Sequence, residues 1–106
     1  MANGKLGTAV LAANENKDIY TVPAGKVMTV NVLMANTGQE AASVRLALVP
    51  GTTADLTLEH YIEYGAAVPV GGILERSALV LSPGETVVAW SDKSSVSVRV
   101  HGYEEA

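Results

Sequence analysis

Two histidines, His60 and His101, are the first residues to test for chemistry. His60 lies in Glu59-His60-Tyr61-Ile62-Glu63, with a carboxylate three residues on. On a helix that spacing brings imidazole and carboxylate together as a metal site requires; on a strand it sends them to opposite faces. The flanking Leu56, Leu58 and His60 fit a period of two, so a shared ligand geometry is not expected. Cysteine is absent, which excludes disulfides and thiolate metal sites. No Gly-x-Ser-x-Gly elbow occurs, and every serine falls in a turn or on the polar face of a strand. Gly71-Gly72 leads into no helix and no Lys-Ser/Thr pair, so it reads as a turn and not a phosphate cradle. The 11 carboxylates are scattered singly. The chain is therefore expected to be no enzyme, with no catalytic residue, no metal and no cofactor. Four Tyr and one Trp are few for a carbohydrate platform.

Composition says what must build the scaffold. The 106 residues fit a single domain with one core, residues 1–106 throughout. Apolar residues make up 48% of the chain, yet Phe is missing, so the core falls to Val, Leu, Ile, Ala and Met. β-Branched side chains suit pleated strands. The net charge is −4 and the seven Lys and Arg are dispersed, which argues against nucleic acid as a partner. No apolar run approaches a membrane span and the N-terminus has no signal-like apolar region, so neither a membrane nor export is expected.

Short apolar runs alternate with turn chemistry along the whole chain. Candidate strands cover Lys5–Ala12 (Leu6, Thr8 and Val10 on one face), Ile19–Val22, Val27–Asn36 and Ser43–Val49. Pro50-Gly51 stops the fourth. Thr52–Tyr64 is read as a loop, with Thr53 and Asp55 able to cap a helical turn, and then a strand at His60–Tyr64. Ile73–Leu81, Thr86–Ser91 and Val96–Val100 complete eight, and the alternation slips around Glu75-Arg76, as at a bulge. Pro23-Ala24-Gly25-Lys26 and Ser82-Pro83-Gly84-Glu85 are turns in which Gly accepts positive φ. Eight strands, short links and no sustained helical period predict an all-β, single-domain antiparallel β-sandwich, jelly-roll-like. Its central core is expected from Met28, Val30, Val32, Val44, Leu46, Leu48, Val96, Val98 and Val100.

Charges inside strands are the anomaly. Arg45, Glu63, Glu75, Arg76 and Arg99 sit mid-strand among apolar neighbours. They read either as a solvated outer sheet face or as contacts to another subunit or to a lattice, where Arg can bind carboxylate in a fork. Leu33, Ala47 and Val49 fall on the same outward faces and favour contact.

The order of the pieces carries a likeness. Ile19-Tyr20-Thr21-Val22-Pro23-Ala24-Gly25-Lys26 runs into Val27-Met28-Thr29-Val30-Asn31-Val32; Asn36-Thr37-Gly38 precedes Val44-Arg45-Leu46-Ala47-Leu48. Then come Tyr61-Ile62-Glu63-Tyr64, Gly72-Ile73-Leu74-Glu75-Arg76, Pro83-Gly84-Glu85 and the close from Val96 to Glu105. This succession resembles small β-sandwich virion structural proteins of tailed bacteriophages. The resemblance implies a head decoration (cement) protein docking on the major capsid protein, or else a tail, baseplate or fibre component; it supplies no catalytic residue. A module without stalk or coiled coil suits a cap on a pre-built surface. The partners implied are other virion proteins, in a virion assembled in the host cytoplasm; mid-strand Arg45 and Arg99, the outward apolar residues and the small size add the expectation of a homo-oligomer, with a trimer preferred. A receptor- or glycan-binding recognition module is the alternative.

Overall fold

A computed structural model of the chain describes residues 3–105. Its strands are β1 (Asn3–Val10), β2 (Lys17–Thr21), β3 (Met28–Asn36), β4 (Ala42–Pro50), β5 (Tyr61–Val68), β6 (Ile73–Leu81), β7 (Glu85–Ser91) and β8 (Val96–Glu104). The remaining regular elements are two 3₁₀ turns, Thr53–Asp55 and Leu58–His60. One sheet has the order β1-β8-β3-β6 and the other β2-β7-β4-β5, with antiparallel strand pairing throughout. β1 pairs with β8, β2 with β7, β3 with β6 and β4 with β5. The chain is thus one long hairpin rolled up until its flanks meet, which is the jelly-roll topology.

The alternation in β3 sets the core. Met28, Val30, Val32 and Met34 are buried, while the residues between them are only partly covered. Val44 and Leu46 meet them from β4 in the facing sheet, and Val96, Val98 and Val100 line up beside them on the neighbouring β8, as the sequence predicts; Leu48 is partly buried against the same cluster. Both Pro-Gly turns form. Lys26 N donates to Pro23 O at 3.2 Å and Glu85 N to Ser82 O at 3.1 Å, with φ of +76° at Gly25 and +82° at Gly84. They carry the chain between sheets, from β2 to β3 and from β6 to β7. They lie side by side, since Gly84 N donates to Val22 O at 3.0 Å. The similarity of the two segments therefore reflects two equivalent corners.

A bulge corrects the face assigned in β1, the bulge expected in β6 forms, and the start of β5 shifts. In β1 the register slips between Lys5 and Gly7, so Leu6 packs on the core while Thr8 and Val10 point out; the three do not share a face. In β6 the slip falls after Arg76, where Arg76 pairs with Val32 and Leu79 with Val30. Ala78 takes φ +57° there, and its freed N–H donates to Asn31 Oδ1 at 2.9 Å. β5 begins at Tyr61 and not His60, because residues 58–60 close a 3₁₀ turn, and it runs on to Val68.

The 51–60 loop corrects another expectation. Ala47 and Val49 do point outward, but they are buried with Val88 beneath Leu56 and Tyr61. The loop folds back over the outer face of the β2-β7-β4-β5 sheet. Thr52 caps the first turn reciprocally with Asp55, and Thr53 N and Oγ1 both donate to Asp18 Oδ1, at 3.2 and 2.5 Å. Apolar side chains inside the loop leave Ala47 and Val49 no role as open surface.

At the opposite end, Asn36 is 3% exposed and fully bonded. Its Nδ2 donates to Glu40 O (2.7 Å) and Val68 O (3.1 Å), and its Oδ1 accepts from Gly38 N and Ser95 Oγ, both at 3.0 Å. With Asn36 N on Gly72 O at 3.1 Å, one residue ties the 37–41, 69–72 and 92–95 connections together.

Candidate functional site

The five mid-strand charges separate into three settings. Glu63 and Arg76 face inward: Glu63 pairs with the core residue Leu46 and Arg76 with the core residue Val32. They sit on edge strands of opposite sheets, at the mouth between β5 and β6, where a second layer cannot cover them. Arg76 Nε and Nη2 both donate to Glu63 Oε2, and Nη1 donates to Glu75 O at 2.7 Å. A solvated outer face is therefore the wrong placement for these two; the pair closes the sandwich along its open side.

Arg45 projects from β4 onto the outer face of its sheet, beyond the part that the 51–60 loop covers. Cross-strand pairing with Trp90 on β7 and Tyr64 on β5 places a ring on each side of it. The guanidinium carbon lies 3.9 Å from the Trp90 ring centre and 4.3 Å from that of Tyr64. Tyr61 meets Tyr64 edge-to-face with centres 4.8 Å apart. The ring quadrupoles stabilise the cation in place of a carboxylate, and Arg45 Nε is shielded from solvent without an acceptor. Two of the chain's five aromatics thus clamp one basic residue, and a third, Tyr61, backs the Tyr64 ring. Sequence reading missed this cluster because its members come from separate strands; only the β4–β5 and β4–β7 registers reveal it.

Glu75 and Arg99 lie on the outer face of the β1-β8-β3-β6 sheet, both exposed. They flank Leu33, which pairs with Arg99 on one side and Glu75 on the other. Among the described residues neither side chain has an ion-pair or hydrogen-bond partner. The same face exposes large apolar groups: Val10 (72%), Val80 (65%), Ile73 (61%) and Tyr103 (52%). A shallow groove of about 450 Å³ runs between Val10 and Leu33, floored by Ala9, Ala35 and Ser97 and ended by Arg99. A second hollow, about 580 Å³, lies at the end of the sheet beside Val80, where Lys26 meets Glu104 at 3.4 Å and Thr29 Oγ1 donates to Glu105.

His60 and Glu63 do not converge: His60 Nδ1 accepts from Thr57 N at 3.0 Å within its turn, while Glu63 is held by Arg76. Among the described residues no three His, Asp or Glu side chains gather as metal ligands. The Tyr20 phenol, packed against the core, is pushed above its ordinary pKa by burial and, second, by the Glu104 carboxylate. What the arrangement offers is contact: one broad half-apolar face with both signs of charge, and one aromatic-arginine patch. Comparison of the chain with family models, with curated proteins and with solved structures returns no match.

Proposed function

We propose that the chain is a non-enzymatic structural protein of a tailed-phage virion, a capsid decoration protein that docks on the head lattice. The observation that carries this reading is the outer face of the β1-β8-β3-β6 sheet. Its exposed Val10, Ile73, Val80 and Tyr103 surround charges without partners, the composition of a docking surface. The body is a slab of 41 × 27 × 18 Å, thin enough to lie on a shell. The ordered resemblance to tailed-phage virion proteins supports the same role. Purified particles test it, by reconstruction with copy counting. Many copies at symmetric head positions are expected. A few copies along the tail would transfer the protein to a tail, baseplate or fibre role, and absence from the particle would end the structural reading.

A glycan-recognition module is the second reading, favoured by the Tyr64 and Trp90 rings on either side of Arg45 with Tyr61 set against Tyr64. Titration with host-surface glycans should then shift the Trp90 indole resonance. A resonance that stays fixed across the series removes this reading.

A further inference from the structure

β3 is flanked on both sides, and its two registers put outward residues of β8 and β6 at matching levels. Leu33 lies between Arg99 and Glu75, Ala35 between Ser97 and Ile73, and Thr29 between Tyr103 and Val80. At these three levels the flanking residues are unequal and complementary: cation against anion, small against large, aromatic against aliphatic; at the fourth, Asn31 pairs with His101 on β8 and faces the bulge on β6. A half-turn about a line along β3 lays β8 of one copy over β6 of a second. Arg99 then meets Glu75 of the second copy, Ile73 sits over its Ser97, Val80 lies beside its Tyr103, and Leu33 meets Leu33.

We propose that the outer face of the β1-β8-β3-β6 sheet is a two-fold self-association surface, with two copies stacked face to face about an axis along β3. A foreign partner of one charge would satisfy either Arg99 or Glu75. A second copy of this chain satisfies both, twice, with charge-assisted bonds across the interface. The self-matching pattern belongs to a two-fold axis and not to the three-fold arrangement expected from sequence. Three strands spaced about 4.8 Å apart give a contact roughly 15 Å wide. That footprint falls short of the roughly 800 Å² per partner of a standard interface, so the dimer is weak, depends on concentration, and gives up this face when a copy docks on a lattice through it. Sheet twist makes the contact tightest at mid-strand, near Leu33 and Asn31, and opens it towards the ends.

Sedimentation equilibrium over a wide concentration range tests the proposal. A monomer–dimer equilibrium is expected. Arg99→Glu and Glu75→Arg should each weaken it about tenfold or more, by setting like charges opposite each other. The double variant, Arg99→Glu with Glu75→Arg, should restore it. Both residues are exposed, so thermal melts of the single variants should match the parent and separate lost pairing from lost folding. A strict monomer, a trimer, or a double variant no better than the singles overturns the proposal. The inference does not rest on the virion role: absence from particles would end that role and leave the dimer measurable.

Discussion

Replacing Asn36 by Ala removes the side chain that binds the 37–41 and 92–95 connections and the end of β5 together at one end of the sandwich. Four hydrogen bonds go with it: two donated, to Glu40 O and Val68 O, and two accepted, from Gly38 N and Ser95 Oγ. Each such bond contributes about 0.5–1.5 kcal/mol net, and a buried group left unsatisfied costs about 1–3 kcal/mol. The bond to Val68 O is fully buried, whereas groups in the 37–41 and 92–95 connections can turn to water. The expected loss is therefore about 2–4 kcal/mol, below the full sum. For a domain of this size each kcal/mol shifts the midpoint by about 4–8 °C, so Tm should fall by roughly 10–25 °C. Differential scanning calorimetry at neutral pH measures it. Asn36→Asp provides a control with a sign. It keeps the acceptor but sets a carboxylate against two carbonyl oxygens, so folding favours the protonated acid. That variant should be least stable at neutral pH and recover as the acid is protonated on acidification. A drop in Tm below about 3 °C for Asn36→Ala, under the effect of one ordinary bond, would refute the hub role.

Val32→Asp should unfold the domain, because it places a charge without a partner in the centre of the core; a melt within a degree or two of the parent, about 0.5 kcal/mol or less, would invert the face assignment. Gly102→Ala should cost about 1–3 kcal/mol, since a Cβ there would fall 2.0 Å from Thr29 O and 2.8 Å from Val30 Cα, backbone atoms of β3 that cannot swing aside; an unchanged urea midpoint would contradict that. A double-mutant cycle on Glu63 and Arg76 should give a coupling of about 0.5–1 kcal/mol that shrinks with added salt, because both side chains keep some solvent contact; zero coupling at low salt would remove the pair from the stability argument. The raised pKa of Tyr20 means its contribution to stability is complete below the unfolded value of about 10 and lost as pH climbs through the folded value. Melting curves across that window should fall less steeply for Tyr20→Phe, and identical slopes would refute the assignment.

The eight strands were legible because period-two alternation and turn residues are local signals, and β3 carries both without interruption. Faces were legible only up to the first bulge. Counting by twos through Lys5–Gly7 assigns Leu6, Thr8 and Val10 to one side, whereas the slip beside Glu75-Arg76 was legible because the apolar alternation itself breaks there. Glu63 and Arg76 read as outward charges because sequence does not distinguish an edge strand from a central one, and only at an open edge does an inward-facing charge reach a partner. Asn36 read as the end of the Val27–Asn36 strand; its burial depends on three connections, two of them distant in sequence. Of the five candidate contact residues, Glu75 and Arg99 stand on an open face as one reading required, Arg45 is clamped by rings, and the remaining two hold each other. Ala47 and Val49 show why outward does not mean exposed: the loop that follows them carries its own apolar cover.

The rolled hairpin also dictates an order of events in time. Among the described strands β4 and β5 are the only partners joined directly, across residues 51–60, while β3 must wait for β6, β2 for β7 and β1 for β8. Each later pairing closes a longer stretch of chain, but loop-closure entropy grows only logarithmically once inner pairs have shortened the effective loop. The chain is therefore expected to fold as a zipper pulled from its middle, with the capped turn at Thr53–Asp55 and the contact of Leu56 and Tyr61 on Ala47 as the first tooth. Nearly all its pairings are distant in sequence, which places it among slowly folding all-β domains, in the range of about milliseconds to seconds. Substitutions at Leu56 or Tyr61 should slow folding, whereas substitutions in β1 should chiefly speed unfolding.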